Sequence, residues 1–111
     1  MSSRHRLGGR RRIARIREHG VVVREDGVRA RVQAGASDVS RVAVGVTRAA
    51  SAVERNRARR RTRAALATVL PEVSLDAVLS VPREAATMPF EDLRTVLSAC
   101  MLRAARAVAA S

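Results

Sequence analysis

The side chains best suited to chemistry are a run of arginines, and the chemistry they offer is the binding of phosphate groups. Six of the nine residues from Arg55 to Arg63 are arginine, with Asn56 between the first two. A guanidinium donates through a planar fork that matches two phosphate oxygens, and it also stacks on bases. On a helix, Asn56, Arg60 and Arg63 would share one arc, with Arg59 at its edge. Because so many cations on one face repel one another, this face predicts a polyanionic partner.

The other side chains that can act in catalysis or bind a metal lack a suitable spacing. His5 and His19 have no cysteine or acidic cluster beside them in the sequence. Glu91 and Asp92 are adjacent, but acids in the first turn of a helix commonly complement the helix dipole. Cys100 falls on an apolar helical face and has the features of an inert core residue. We therefore expect no catalytic residue and no metal site in this chain.

The distribution of charge also indicates nucleic-acid binding. The 111 residues include 22 arginines, no lysine and 10 acidic residues, which gives a formal net charge of +12. Residues 1–63 contain 18 arginines against five acids (net +13), whereas residues 64–111 contain four against five (net −1). Such asymmetry is typical of a protein with one half directed at a polyanion. We expect a single domain over residues 1–111 that begins with a flexible basic arm at about residues 1–9.

Membrane and secreted classes fit the sequence poorly. No apolar run approaches the ~20 residues that a membrane-spanning helix needs. The basic start of the chain is not followed by the apolar segment of a signal peptide. A single cysteine, Cys100, allows no internal disulfide. These features predict a cytoplasmic protein with no membrane partner, and nothing in them implies a protein partner.

Hydrophobic periodicity predicts the order α-β-β-β-α-β-α. Alternating valines mark strands, Gly20 ends the first helix, and Ser51 with Glu54 forms a capping box at the start of the second. This pattern predicts an α+β fold, a two-layer sandwich of helices on a small four-stranded sheet. The predicted elements are a helix over 10–19, strands over 21–23, 28–32 and 42–46, a helix over 51–70, a strand over 76–81 and a helix over 89–110.

Two helices are predicted to pack through an apolar face. Small residues with Leu66 and Val69 face the sheet from the second helix, and a leucine-rich stripe that begins with Phe90 does so from the last. The residues predicted to face the sheet are Ala58, Thr62, Ala65, Leu66 and Val69 on the second helix and Phe90, Leu93, Leu97, Cys100 and Ala104 on the last.

The basic helix resembles the signature helix of bacterial ribonuclease P proteins. Residues 52–63 read AVERNRARRRTR, and the family pattern is A-V-x-R-N-x-x-K-R-x-x-R. Arg59 stands where the pattern has lysine and keeps the charge. Upstream, Arg6-Leu7, Ile13, Ile16 and Gly20 follow the family frame R-L-x5-F-x2-V-x3-G. Downstream, residues 75–82 and 89–94 match its final strand and helix.

The resemblance implies an RNA-binding domain with a left-handed βαβ crossover, which acts as the protein subunit of ribonuclease P. In that family, a catalytic RNA subunit uses Mg²⁺ to remove the 5′ leader of precursor tRNA, so the holoenzyme is an endoribonuclease although the protein alone is not catalytic. The residues implied to bind the catalytic RNA are Arg48, Arg55, Asn56, Arg59, Arg60 and Arg63. Those implied for a 5′-leader cleft between the sheet and the first helix are Arg6, Ile13, Arg29 and Arg31.

The chain departs from the family pattern in three ways. Thr47-Arg48-Ala49-Ala50 replaces the usual Ser-Lys-Lys-x-Gly, and Ile13 replaces an aromatic residue on which a base would stack. The predicted strands lack aromatic residues too. Two other classes of function also fit the charge. One is a non-enzymatic basic RNA-binding or ribosome-associated protein of similar fold. The other is a basic DNA-binding protein, because phosphate contacts alone do not distinguish DNA from RNA.

Overall fold

The computed structural model describes residues 3–111 and confirms the predicted order of elements. Short 3-10 turns over Ser3–His5 and Arg83–Ala86 supplement the main helices and strands. The helices are α1 (Arg10–His19), α2 (Ala52–Leu66) and α3 (Phe90–Ala110), and the strands are β1 (Val21–Glu25), β2 (Val28–Ala34), β3 (Arg41–Thr47) and β4 (Leu75–Pro82).

The four strands form one mixed sheet in the order β1-β2-β4-β3. β1 pairs with β2 and β2 with β4 in antiparallel fashion, whereas β3 and β4 are parallel. α2 connects the two parallel strands, so β3, α2 and β4 form the βαβ unit that the resemblance implies. The left hand of that crossover stays a prediction. Because β3 ends the strand order, one of its edges has no sheet partner and is available to another segment.

Alternation along β2 separates the two faces of the sheet. Val28, Ala30 and Val32 are buried in the main core, on the face that α3 covers, whereas Arg29 and Arg31 point to the other face. α1 lies on that other face, hereafter the outer face, where the Arg31 guanidinium donates to the carbonyl of Arg17. The α+β class and the four-stranded sheet are thus confirmed, and α1 adds partial cover beyond the two predicted layers.

α2 starts as the sequence predicts and ends earlier. The Ser51 hydroxyl accepts from the Glu54 N–H at 3.0 Å, and the Glu54 carboxylate accepts from the Ala50 N–H at 2.8 Å. The predicted inner face is correct, since Ala58, Thr62, Ala65 and Leu66 are buried and Val69 packs against the core. The helix was expected to reach residue 70, but it ends at Leu66. The N–H groups of Thr68 and Val69 bond to carbonyls three residues back, which tightens the chain out of the α-helix.

α3 packs on β1 and β2 through Leu93, Leu97, Cys100 and Ala104, as predicted. Phe90 is the exception, because 39% of it is exposed. A helical side chain lies over the turn that precedes it, and the first residue of a helix has no such turn. Across residues 3–111, no helix combines the length and the apolar character needed to cross a membrane.

The start of the chain docks on the free edge of β3. Arg6 forms a parallel bridge with Val42, and the Leu7 N–H donates to the Val42 carbonyl at 3.1 Å. Leu7 is buried, and His5 Nδ1 lies 2.9 Å from the Ser40 carbonyl oxygen. The flexible arm predicted for about residues 1–9 did not include this docking. Residues 1 and 2 of that arm lie outside the described part of the chain.

Candidate nucleic-acid interface

The outward side of α2 carries five polar residues that the sequence nominated for RNA binding. Arg55, Asn56 and Arg60 are exposed, and Arg59 and Arg63 are half-buried. Their common position follows from the helical period, because Arg55, Arg59 and Arg63 recur every four residues, whereas the neighbouring arc with Ala58 and Thr62 packs against the core. We call Arg55, Asn56, Arg59, Arg60 and Arg63 the α2 face.

Two guanidinium groups of the α2 face are only partly satisfied. Arg59 Nε and Arg63 Nη1 are buried and have no hydrogen-bond partner among the described residues. Burial lowers the pKa of Arg63, and the nearby charges of Arg6 and Arg59 lower it further. A buried donor without an acceptor is costly, and a charged one more so. An anion at this point would supply the missing acceptor and relieve the repulsion.

The structure places Arg6 beside the α2 face. Its bridge with Val42 holds it at the edge of β3, where its charge acts on Arg63. The sequence could not reveal this position, because the docking depends on β3 being an edge strand. The role of Arg6 in leader binding stays a prediction, and its position also allows a contact with an anion at the α2 face.

Not every arginine of α2 belongs to this face. Arg61 donates to the carbonyl oxygens of Ala85 and Met88 at 2.7 and 2.6 Å, so it ties α2 to the segment between β4 and α3. Glu54 is the one acidic residue of α2, and its carboxylate forms an ion pair with Arg83 at 3.1 Å. The bonds from Ala50 and Arg83 keep the pKa of Glu54 below its ordinary value, the first having the larger effect.

A cleft lies between α1 and the outer face of the sheet, with a volume of about 350 Å³. It contains two of the predicted leader residues, Arg29 and Arg31, together with Arg17, which sequence reasoning missed. A signal for Arg17 was present, since it follows Ile13 by one helical turn on α1. The lining residues are Arg17, Arg29, Arg31, Gly45, Val78, Leu79 and Ser80.

Ile13 and Arg48 lie apart from the groups in which they were predicted. Ile13 is half-buried and does not line the cleft; Ile16, one turn on, is the buried residue of α1. Arg48 follows the end of β3 and lines a second hollow, which adjoins the cleft, with Arg24, Arg29 and Arg83. The structure therefore brings Arg29 and Arg31 together in the cleft and gives Arg6, Ile13 and Arg48 other surroundings.

The cleft offers cations but no base-stacking surface. None of the residues that line it is aromatic, so its contacts with a polyanion would be mainly electrostatic. Among residues 3–111, no group of three or more histidine, cysteine or acidic side chains is arranged to hold a metal ion. The candidate site is thus a basic surface for phosphate groups.

Comparison with known proteins identifies relatives of the chain. The family model for ribonuclease P matches residues 1–105. The ribonuclease P protein of Thermotoga maritima superimposes with a TM-score of 0.76 and 24% identity, over 88% of this chain and 96% of that one. The Staphylococcus aureus ribonuclease P protein gives a TM-score of 0.75 at 18% identity, over 90% and 94%. These similarities show a shared fold, and no curated protein sequence matches.

Proposed function

The chain belongs to the ribonuclease P protein family, and on that basis we propose that it is the protein subunit of a holoenzyme whose RNA subunit performs the hydrolysis. Its function is in tRNA processing as a part of ribonuclease P, and its partner is RNA. We propose further that the RNA partners are the catalytic RNA and precursor tRNA. The reaction would be endonucleolytic removal of the 5′ leader.

The observation that carries this proposal is that buried arginine nitrogens of the α2 face lack a hydrogen-bond acceptor among the described residues. Five polar side chains line one side of the helix, and buried nitrogens of Arg59 and Arg63 have no acceptor within the described residues. Glu54 gives these groups little compensation, because its carboxylate is engaged by Arg83 and the Ala50 N–H. Phosphate oxygens of an RNA are suitable acceptors, since each accepts charge-assisted hydrogen bonds from guanidinium. We assign the α2 face, with Arg6, to the catalytic RNA.

The cleft is the surface we assign to the leader. It contains Arg17, Arg29 and Arg31 and is open to solvent on the outer face of the sheet, away from the main core. A single strand can pass through it with its phosphates toward these cations. Because no aromatic side chain lines it, we expect leader binding that depends weakly on base identity and strongly on salt.

The proposed chemistry needs Mg²⁺, and the described part of the protein offers no ligand set that fits it. Magnesium prefers carboxylate and phosphate oxygens, whereas the α2 face and the cleft present guanidinium groups. We propose that RNA phosphates hold the ion. The role of this chain is then to bind and orient RNA, in the cytoplasm where tRNA is processed.

Membership of the ribonuclease P family favours tRNA processing over the two alternatives that the charge allows. A ribosome-associated protein or a DNA-binding protein would also explain a basic surface. The family model spans residues 1–105, so it includes the α2 face and every residue that lines the cleft. No separate feature of the structure favours either alternative.

Reconstitution tests the proposal directly. The purified protein is added to catalytic RNA and precursor tRNA at a Mg²⁺ concentration too low for the RNA alone, and the 5′ ends of the products are mapped. We expect cleavage at the mature 5′ end only when both protein and RNA are present. Metal-dependent cleavage by the protein without RNA would contradict the proposal, as would a complete reaction that the protein does not accelerate.

A further inference from the structure

The outward side of α3 is exposed along most of the helix. Its buried residues face the sheet, and positions that recur every three or four residues on the opposite side are open to solvent. These exposed positions are Glu91, Thr95, Ser98, Leu102 and Arg106. We call them the α3 stripe. The stripe lies on the other side of the sheet from the cleft, because α3 packs on the core face and the cleft is on the outer face.

A groove of about 390 Å³ runs beside the α3 stripe. Val69, in the segment after α2, forms one wall, and residues of α3 from Glu91 to Leu102 form the other. Leu102 is 52% exposed and is the one exposed leucine among residues 3–111. A single exposed leucine is ordinary on a protein surface, so the occupant of this groove has to be inferred from the charges around it.

The α3 stripe has no net charge, unlike the two surfaces assigned to RNA. Its acid, Glu91, is in the first turn of the helix, and its arginine, Arg106, lies about four turns further on. The side chains between them carry no charge. A polyanion is a poor partner for such a surface, because the acid repels it as much as the arginine attracts it. The stripe instead suits a partner whose charges run in the opposite order.

Both charged ends of the stripe can bind another molecule. The other two arginines of α3 have carboxylate partners, since Arg94 pairs with Glu91 at 3.4 Å and Arg103 with Glu25 at 2.9 Å. Arg106 is exposed and takes part in none of the ion pairs among residues 3–111. The Glu91 side chain is 76% exposed, and a carboxylate has lone pairs for several donors, so Arg94 does not saturate it.

A second α3 in antiparallel orientation has the required order of charges. When two such helices cross midway between Ser98 and Ala99, Glu91 of each copy stands opposite Arg106 of the other copy. A two-fold axis repeats every contact, so two ion pairs form together, one at each end. The small side chains at the crossing point allow the helices to approach closely, and Leu102 of each copy is then covered by the other helix.

We propose that the α3 stripe is a self-association surface, on which a second copy of this chain docks with its α3 antiparallel to the first. The dimer leaves the cleft uncovered, because the cleft lies on the outer face of the sheet. One pair of helices gives a small contact, so we expect weak association, with a Kd on the order of 100 µM. The net charge of +12 on each copy opposes it only modestly at physiological salt, where the Debye length is about 8 Å.

An exchange of charges between two variants tests the antiparallel arrangement. Glu91→Arg sets arginine against arginine at both ends of the dimer, and Arg106→Glu sets carboxylate against carboxylate. A mixture of the two variants in equal amounts restores both attractive pairs. Glu18→Arg is the matched control, because it changes the net charge as Glu91→Arg does but at an exposed position of α1. Sedimentation equilibrium measures dimerisation at protein concentrations that bracket the Kd, and thermal unfolding verifies that each variant folds.

We expect each single reversal to weaken dimerisation about tenfold and the mixture to return it to within about threefold of the unsubstituted protein. Glu18→Arg should change dimerisation by less than about twofold, because its charge lies outside the contact. Ser98→Arg is a second variant that leaves both ends of α3 unaltered. It places a bulky cation beside the two-fold axis, opposite the same cation of the other copy, and should abolish dimerisation.

Three results would overturn the proposal. In the first, the unsubstituted protein sediments as a monomer at every concentration. In the second, the mixture of Glu91→Arg and Arg106→Glu associates no better than either variant alone, or Ser98→Arg dimerises as the unsubstituted protein does, so the contact lies elsewhere. In the third, titrations with the catalytic RNA far below the dimerisation Kd show that Glu91→Arg strengthens and Arg106→Glu weakens RNA binding, each by more than Glu18→Arg changes it. The occupant of the α3 stripe is then RNA.

Discussion

The α2 face and the cleft, which we assign to two parts of the RNA, both present guanidinium groups, yet their residues come together in opposite ways. The α2 face is formed within one capped helix, so its five residues lie together as soon as the helix forms. The cleft takes Arg17 from α1, Arg29 and Arg31 from β2, Gly45 from β3 and Ser80 from β4. Its geometry exists only when the sheet and α1 have assembled. One surface is a property of local sequence and the other of tertiary structure.

This difference also separates what each surface can recognise. Two buried guanidinium nitrogens of the α2 face have no hydrogen-bond acceptor among the described residues. This arrangement suits a large, structured RNA whose phosphates lie at fixed positions. The cleft is concave and its described wall is free of aromatic residues, which suits an extended strand of any sequence. A single small domain can thereby bind two parts of an RNA complex.

The largest effect should follow from removal of two cations of the α2 face. Arg60→Ala with Arg63→Ala should weaken binding to the catalytic RNA about 30- to 100-fold and reduce the salt slope by about two, because two phosphate contacts are lost. Binding titrations at several salt concentrations measure both quantities. The affinity ratio of precursor to mature tRNA should not change, since the cleft is intact.

Arg106→Ala is the matched control for this pair. Arg103, another arginine of the near-neutral half, is less suitable because its guanidinium donates to the Arg24 carbonyl and to Glu25. If Arg106→Ala costs as much RNA affinity as the double substitution, the charge acts over the whole molecule and the α2 face has no special role.

A second comparison lies within α2 itself, between an arginine that donates hydrogen bonds to the rest of the protein and one whose side chain is exposed. Arg61→Ala removes bonds of 2.7 and 2.6 Å to two carbonyl groups and should lower the free energy of unfolding by about 1–3 kcal/mol. Arg57→Ala, at an exposed position of the same helix, should change it by less than about 0.5 kcal/mol. Denaturant titration of both variants provides the test, and equal stabilities would remove the structural role of Arg61.

The contrast between the two surfaces explains how far the sequence predicts the molecule. The Ser51–Glu54 box, the helical period of α2 and the alternation of β2 are local signals, and each led to the observed element. Positions that depend on neighbours in space were predicted less well. The bridge between Arg6 and Val42 was not predicted, because element order does not reveal that β3 is an edge strand. Arg17 follows Ile13 by one helical turn, which was a signal for it, but its position in the cleft also depends on the side of the sheet on which α1 packs, and that is not encoded locally.

Phe90 illustrates the same limit in the core. Its spacing from Leu93 and Leu97 predicted burial, and angular position on a helix is indeed what that spacing encodes. Burial also depends on what lies beyond the end of the helix, and Phe90 is its first residue. Helical periodicity therefore predicted the face of α3 correctly and its exposed end incorrectly.

A negative charge added on the floor of the cleft should produce a smaller loss that is specific for precursor tRNA. Gly45 lies on the floor of the cleft, and a Cβ added there would meet the Leu79 carbonyl oxygen at 3.8 Å, an ordinary contact. Gly45→Glu should therefore fold and weaken precursor binding about tenfold through repulsion of phosphates, with mature tRNA unaffected. The loss should shrink at high salt.

Gly45→Gln controls for shape in that experiment, because it has the same length without the charge. We expect the glutamine variant to bind precursor tRNA within about threefold of the unsubstituted protein. If Gly45→Gln and Gly45→Glu weaken precursor binding equally, the loss comes from the volume of the added side chain and not from its charge. If neither costs anything, the leader lies elsewhere.

The smallest effect is expected at Ile13, where the ribonuclease P pattern has an aromatic residue. If Ile13 formed the wall of the cleft, phenylalanine would provide a stacking surface and tighten precursor binding by up to about 1 kcal/mol. If Ile13 were core, phenylalanine would overpack it and cost roughly 1–3 kcal/mol of stability. The structure supports neither extreme, since Ile13 is half-buried and outside the cleft lining while Ile16 fills the buried position.

We therefore expect Ile13→Phe to change the precursor-to-mature affinity ratio by less than about twofold, with less than about 1 kcal/mol of change in stability. Val78 is the matched position, because its side chain is half-buried and does line the cleft. Val78→Phe should raise the ratio by up to about fivefold, the gain expected from one stacked base at the lower end of the measured range. Affinity ratios and unfolding midpoints of both variants decide the matter. A gain at Ile13 without one at Val78 would move the leader from the floor of the cleft to the side of α1.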